Sequence, residues 1–257
     1  MSDLDLLIDA CHAAGDIALG FWRQNAKTWE KNPGDPVTEA DLAVDAMLKE
    51  KLLAARPDYG WLSEETPDNP ARLGQERVFI IDPIDGTRAF IDGKPSWAHS
   101  IAVAEKGVVR AAAVFLPARE LLYVAAAGEG ATLNGAAISV TGRDGAPGAR
   151  ILANGASFTE RYWRIPTADM TRSFRPSLAY RLALVADGQA DGMVTFRNTW
   201  EWDIAAGALI ATEAGATVTD RTGAPIRFNS EGGYSQGILT ATPAVHLDLL
   251  DRLAPAA

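Results

Sequence analysis

The sequence predicts a mixed fold, α+β in its first half and α/β in its second, and three patterns carry that prediction. Two stretches with apolar residues at helical spacing open the 257-residue chain. Four short apolar runs separated by turn residues follow, and strand-like and helix-like segments then alternate to the end.

From Leu4 to about Asn25 the apolar positions Leu4, Leu7, Ile8, Cys11, Ala14 and Ala18 fall on one helical face, so an amphipathic helix is expected. KNPGDPV at 31–37 reads as a Pro/Gly loop. Thr38 and Asp41 then open a second helix, which carries Leu42, Val44, Met47, Leu48 and Leu52 and is stopped by Pro57. Strand-length runs lie at Val78–Ile81, His99–Ala104, Val108–Phe115 and Leu121–Ala126, with Lys106-Gly107 and Pro117-Ala118-Arg119 between them as turns. An antiparallel meander is the natural reading. TGRDGAPGAR at 141–150 has glycines, a proline and charges without periodicity, which places a domain boundary there: an N-terminal domain at 1–145 and a C-terminal domain at 146–257. The second half is read as a strand at Ile151–Ala153, a helix at Leu178–Asp187, a strand at Gly192–Phe196 and a helix at Asp203–Ala214.

Composition narrows the function. At 47% hydrophobic residues the chain can bury a full core, and a net charge of -9 with no dense Lys/Arg run argues against a nucleic-acid polymer as partner. One cysteine, Cys11, cannot form an intramolecular disulfide, and no apolar stretch nears the roughly 20 residues of a membrane helix. The expectation is a cytoplasmic protein with no membrane partner.

Four acidic motifs can carry chemistry. In VFIIDPIDGTR a core strand runs into Asp82 and Asp85, and Pro83 between them is expected to end the ladder and turn both carboxylates to one side. Two such carboxylates repel unless a cation joins them, and for hard oxygen ligands that cation is Mg²⁺. Gly86 and Thr87 behind them offer turn N–H groups to a phosphate. A plain surface turn is the competing reading. Glu64 and Glu65 in GWLSEET otherwise read as a solvated loop, Asp41 in PVTEAD as a first-turn charge complementing the helix dipole, and Asp203 in WEWDIAAG as a helix N-cap.

Other hydrolase chemistries find little support. The chain has no G-x-S-x-G elbow and no P-loop, and His12, His99 and His246 lack metal-site spacing. Gly128-Glu129-Gly130 is read as a turn because Leu133 stands where a dinucleotide fingerprint needs glycine. A haloacid-dehalogenase-like nucleophile motif, D-x-D-G-T, is excluded by spacing, since Asp82 and Asp85 are separated by two residues rather than one.

Taken in order, PVTEAD, LSEE, DPIDGT and WEWDIAAG with EAGA behind it resemble the inositol monophosphatase superfamily of Mg²⁺-dependent, lithium-sensitive phosphomonoesterases, over about residues 31–220. The resemblance implies a layered αβαβα sandwich, a homodimer, a small phosphorylated metabolite as substrate and two to three Mg²⁺ per site. Carried over by motif, it implies that Glu64, Asp82 and the Ile84 carbonyl hold one metal, that Asp82, Asp85 and Asp203 hold a second, and that Glu64 helps with a third. Thr87 with Asp41 would orient and deprotonate the attacking water, Gly86 and Thr87 would hold the phosphate, and Lys31 would lie near the metals.

Substrate choice rests on departures from the family pattern. Phe196 stands seven residues before Asp203, where inositol-hydrolysing members carry an acid, and Arg88 follows DPIDGT where they commonly carry Thr. Arg197 could meet an anion. These features, with LSEE and VADGQA, resemble the 3'(2'),5'-bisphosphate nucleotidases. Histidinol-phosphatase and inositol-1-monophosphatase are the alternatives, and a silent metal- or phosphate-binding module is the alternative of another class.

Overall fold

The computed structural model describes residues 1–254. Helix α1 (Asp3–Phe21) begins at a capping box, in which Ser2 and Asp5 satisfy each other's free backbone groups, and it ends four residues before Asn25. Where a loop was expected at 31–37, strands β1 (Thr28–Asn32) and β2 (Asp35–Thr38) form an antiparallel hairpin. Pro33 and Gly34 supply only its tip, Gly34 at φ +79°, and the strand signal around them was masked by charge. Helix α2 (Glu39–Ala55) opens with a second capping box between Thr38 and Asp41.

The first sheet has seven strands: β3 (Gly60–Ser63), β4 (Arg77–Asp85), β5 (Ala98–Glu105), β6 (Val108–Leu116), β7 (Leu121–Ala126), β8 (Ala131–Leu133) and β9 (Ala136–Ala137). They lie in sequence order. All neighbours pair antiparallel except β3 and β4, which are parallel. Both faces of this sheet are covered. Phe79, Ile81, Ile101 and Val103 pack under α1 and α2, while Val78, Ile80, Ala102 and Ala104 pack on the other side against α4 (Leu178–Ala186) and α5 (Glu201–Glu213). That double burial is why these strands read as unbroken apolar runs rather than as alternating ones.

A five-stranded sheet lies beyond α4 and α5, in the order β11 (Thr171–Ser173), β10 (Arg150–Leu152), β12 (Gly192–Thr195), β16 (Ile238–Ala241), β14 (Thr217–Thr219). Its outer side carries α6 (Pro243–Arg252), whose Val245 and Leu249 pack with Ile151, Val194 and Leu239. A short ribbon pairs β13 (Thr199–Trp200) with β15 (Tyr234–Ser235). A five-residue helix, α3 (Thr87–Ile91), follows β4. The layers therefore run helices, sheet, helices, sheet, helix: an αβαβα sandwich. Helices α4 and α5 are buried along most of their surface because they sit between two sheets.

Candidate active site

The expected end of the β4 ladder is not observed. Strand β4 continues to Asp85, and the register changes between Asp82, which faces Ser100, and Asp85, which faces Ala98. Three steps along β4 thus match two along β5. In a regular strand, residues three apart point to opposite faces; the bulge at Pro83-Ile84 adds the residue that restores their phase. Ile84 packs in the α1/α2 core, and both aspartates turn toward α4 and α5. At the bulge the Pro83 carbonyl accepts from Nδ1 of His99, which fixes that imidazole's tautomer. His99 is fully buried, and burial lowers its pKa to about 4.

Asp203 meets the pair from α5. It is not the N-cap expected of it: Trp200 occupies that position, and Asp203 is the third residue of the helix. One oxygen each of Asp82, Asp85 and Asp203 lies within 4.8 Å of the others. The three carboxylates depend on unlike supports. Asp85 accepts from Ser177 Oγ and the Ala179 N–H, both at 2.6 Å. Oδ1 of Asp82 is buried without any hydrogen-bond partner among the described residues. Burial, then the charges of Glu64, Asp85, Asp203 and Asp41, push the Asp82 pKa well above the carboxylate range. Asp203 is raised well above it too, by burial and then by Asp85 and Glu64, and Asp85 is raised by burial against its hydrogen bonds. A buried acid with an orphaned oxygen, facing two other acids, fits a hard divalent cation.

Asp41 and Thr87 come together from α2 and α3. Asp41 Oδ2 accepts from the Thr38 N–H (2.9 Å) and Thr38 Oγ1 (2.6 Å), and its Oδ1 lies 3.3 Å from Thr87 Oγ1. Asp41 therefore complements the helix start, as its plain reading held, and also reaches the site. Its pKa is raised to about 6, chiefly by burial. The Ile84 carbonyl is not bare, since Thr87 Oγ1 donates to it at 3.1 Å. A hydroxyl has one proton, so Thr87 donates to Ile84 or to Asp41 at any moment. Gly86 before it sits at φ +97°, and an added Cβ would meet the Ser96 carbonyl at 3.3 Å, so geometry and space both require glycine.

Glu64 follows β3, its N–H held by the Ile81 carbonyl, which carries it to the end of β4. Lys31 of the hairpin spans it and its neighbour, 2.8 Å to Glu64 and 2.9 Å to Glu65. Burial opposes the Lys31 charge, but the two carboxylates outweigh it and hold the pKa above its ordinary value. Glu65 is not the solvated loop residue expected: its side chain is nearly covered, and burial raises its pKa to about 7. Arg88 does not face the acids; its guanidinium donates to the Gly34 carbonyl at the hairpin tip. Arg197 is exposed at the end of β12, close enough to Asp203 to offset part of its charge. Buried Arg181 of α4, unpredicted, does the same.

A family model described as the inositol monophosphatase family matches residues 2–253. The chain belongs to the inositol monophosphatase family. An inositol-1-monophosphatase of Rhizobium meliloti is 36% identical over 86% of each chain, and a histidinol-phosphatase of Chlorobaculum parvum is 32% identical over 90% of each. Among solved structures, an inositol monophosphatase of Thermotoga maritima superposes with a TM-score of 0.83 at 29% identity, covering 98% of this chain and 96% of that one. Members of this metal-dependent family are phosphomonoesterases acting on small phosphorylated substrates, and this chain is a phosphatase of that class.

Proposed function

We propose that this member hydrolyses a small phosphate monoester at Mg²⁺ held by Asp82, Asp85 and Asp203, with Glu64 and the Ile84 carbonyl completing the cation sites. The observation that carries the reading is the convergence of three carboxylates around an unpartnered, buried Asp82 oxygen. Magnesium bound there supplies the positive charge that a phosphate dianion and a departing ester oxygen need. The chain's own groups supply position and proton transfer. Thr87 orients a water for in-line attack and relays its proton to Asp41, whose raised pKa suits a general base near neutrality. Asp41 stays aimed because Thr38 holds its other oxygen. As the water oxygen joins phosphorus, the ester P–O bond breaks and the departing oxygen takes a proton from solvent. The Gly86 and Thr87 N–H groups, at a helix start with no intrahelical acceptor, hold the phosphate.

For the substrate we retain a 3'(2'),5'-bisphosphate nucleotide. Phe196 is buried against Tyr162 and Trp163 and offers nothing to polyol hydroxyls, whereas exposed Arg197 beside Asp203 suits a second phosphate. Arg88, held by the hairpin, lends this reading no support. The experiment is a comparison of kcat/KM for adenosine 3',5'-bisphosphate, histidinol phosphate, inositol 1-phosphate and a generic aryl phosphate, each with Mg²⁺ and with EDTA. A tenfold preference for the bisphosphate is expected. Preference for either named rival replaces the substrate but keeps the phosphatase, and absence of metal-dependent hydrolysis of all four favours the binding module.

A further inference from the structure

The outer side of the second sheet carries a concavity opposite in charge to the acidic cluster. It has a volume of about 630 Å³, and none of its lining residues belongs to the acids or to the Gly86–Arg88 turn. Arg161, Arg164 and Arg221 line it, with Asp251 as its acid. In a chain of net charge -9 this is a local inversion of sign. Arg164 is paired with Asp251 at 3.2 Å. Arg161 and Arg221 have no carboxylate partner within salt-bridge distance among the described residues.

Both free guanidinium groups are held ready. Arg161 lies over the Tyr162 ring, 4.5 Å from its centre, and donates to the Tyr162 hydroxyl at 2.7 Å. Arg221 donates from Nη1 to the Phe196 carbonyl at 3.1 Å, while its Nε is buried without a partner among the described residues. Each has five N–H donors and uses one of them here, so planar forks remain for an anion. The walls between them are apolar. Tyr162 packs at a tilt on buried Phe196, ring centres 4.8 Å apart, and Leu250 and Leu253 complete the lining. Volume, aromatic walls and a few directed cations are the features of a site for one small organic molecule.

We propose that this cavity binds a small anion built of a planar ring and a phosphate or carboxylate group, separately from the phosphatase site and independently of its substrate. The ring lies against Tyr162, Leu250 and Leu253, and the anionic group is held by Arg161 and Arg221.

The test is calorimetric titration of the full chain in EDTA, where the uncompensated acids of the main site repel anions. AMP and benzoate serve as probes of the two anionic groups; adenosine and inorganic phosphate separate ring from charge. Saturable one-to-one binding of AMP or benzoate is expected, weakening as salt rises and at least tenfold weaker in both Arg161→Ala and Arg221→Ala. Thermal melting and aryl phosphatase activity of both variants, with Mg²⁺ restored, are expected to match the parent and report folding separately from binding. No saturable binding of either anion, binding unchanged in both variants, or equal binding of adenosine would overturn the proposal.

Discussion

Asp82 is the residue on which the site turns, because it is the acid least supported by the protein itself. Its oxygen is orphaned and four other carboxylates raise its pKa behind burial, so without a cation it destabilises the fold it belongs to. Asp82→Asn removes the charge and keeps the shape. We expect phosphatase activity to fall by about 10³-fold, while the metal-free variant melts at a higher temperature than the metal-free parent. Retained Mg²⁺-dependent turnover would refute the assigned role. The acids were legible one by one in the sequence, since each sits in a short motif. The burial of Glu65 was not, because it lies under Lys31 on a hairpin the letters did not announce. Nor was the direction of Arg88, which follows from where the Gly34 carbonyl ends up.

At the level of elements, the positions of α4 and α5 decide whether Asp203 reaches the β4 acids. Gly207 lets the two helices approach: a Cβ there would lie 2.6 Å from the Leu182 side chain. Gly207→Ala is expected to cost about 1–3 kcal/mol by overpacking, measurable in denaturant, with a weaker Mg²⁺ affinity if Asp203 is displaced. A second restraint acts at the start of α5. Glu201 is fully buried and accepts from the Asn229 N–H (2.5 Å), the Ser230 N–H (2.9 Å) and Ser230 Oγ (2.5 Å). Arg72, from the turn after β3, donates to Asn229 Oδ1 at 2.6 Å and to the Ser230 carbonyl at 3.0 Å. This chain of bonds ties the turn after β3 and the loop before β15 to α5, two residues from Asp203. Glu201→Gln is expected to lower stability by about 1–3 kcal/mol, because a buried acceptor is exchanged for a donor facing donors; an unchanged unfolding midpoint would show the clamp to be slack. The helix itself was predicted, but starting at Asp203, since Trp200 caps it without any side-chain hydrogen bond for a motif to reveal.

Across the whole molecule, the acids couple stability to pH and metal. A carboxyl with a raised folded pKa stabilises the fold fully below its unfolded pKa and loses that contribution as pH rises through the folded value. Asp41 at about 6 and Glu65 at about 7, with Asp82 and Asp203 raised well above the carboxylate range, therefore make the metal-free protein progressively less favoured as pH rises. The same deprotonation builds the cation site. The gain in Tm on adding Mg²⁺ is thus expected to grow from pH 5 to pH 8. A gain independent of pH would separate metal binding from these acids. The homodimer implied by the family resemblance is a further expectation, checked by light scattering at several concentrations. By itself the sequence determined the elements with strong local signals and the identity of the acids, because helix caps, apolar periodicity and short motifs act over a few residues. Only the tertiary structure decided which way those acids point. The phase of Asp82 and Asp85 depends on a bulge whose register is set by β5, and Asp203 arrives from more than a hundred residues away on a helix pressed between two sheets. Those are pairings of distant segments, fixed by what each buries against the other rather than by any pattern within it.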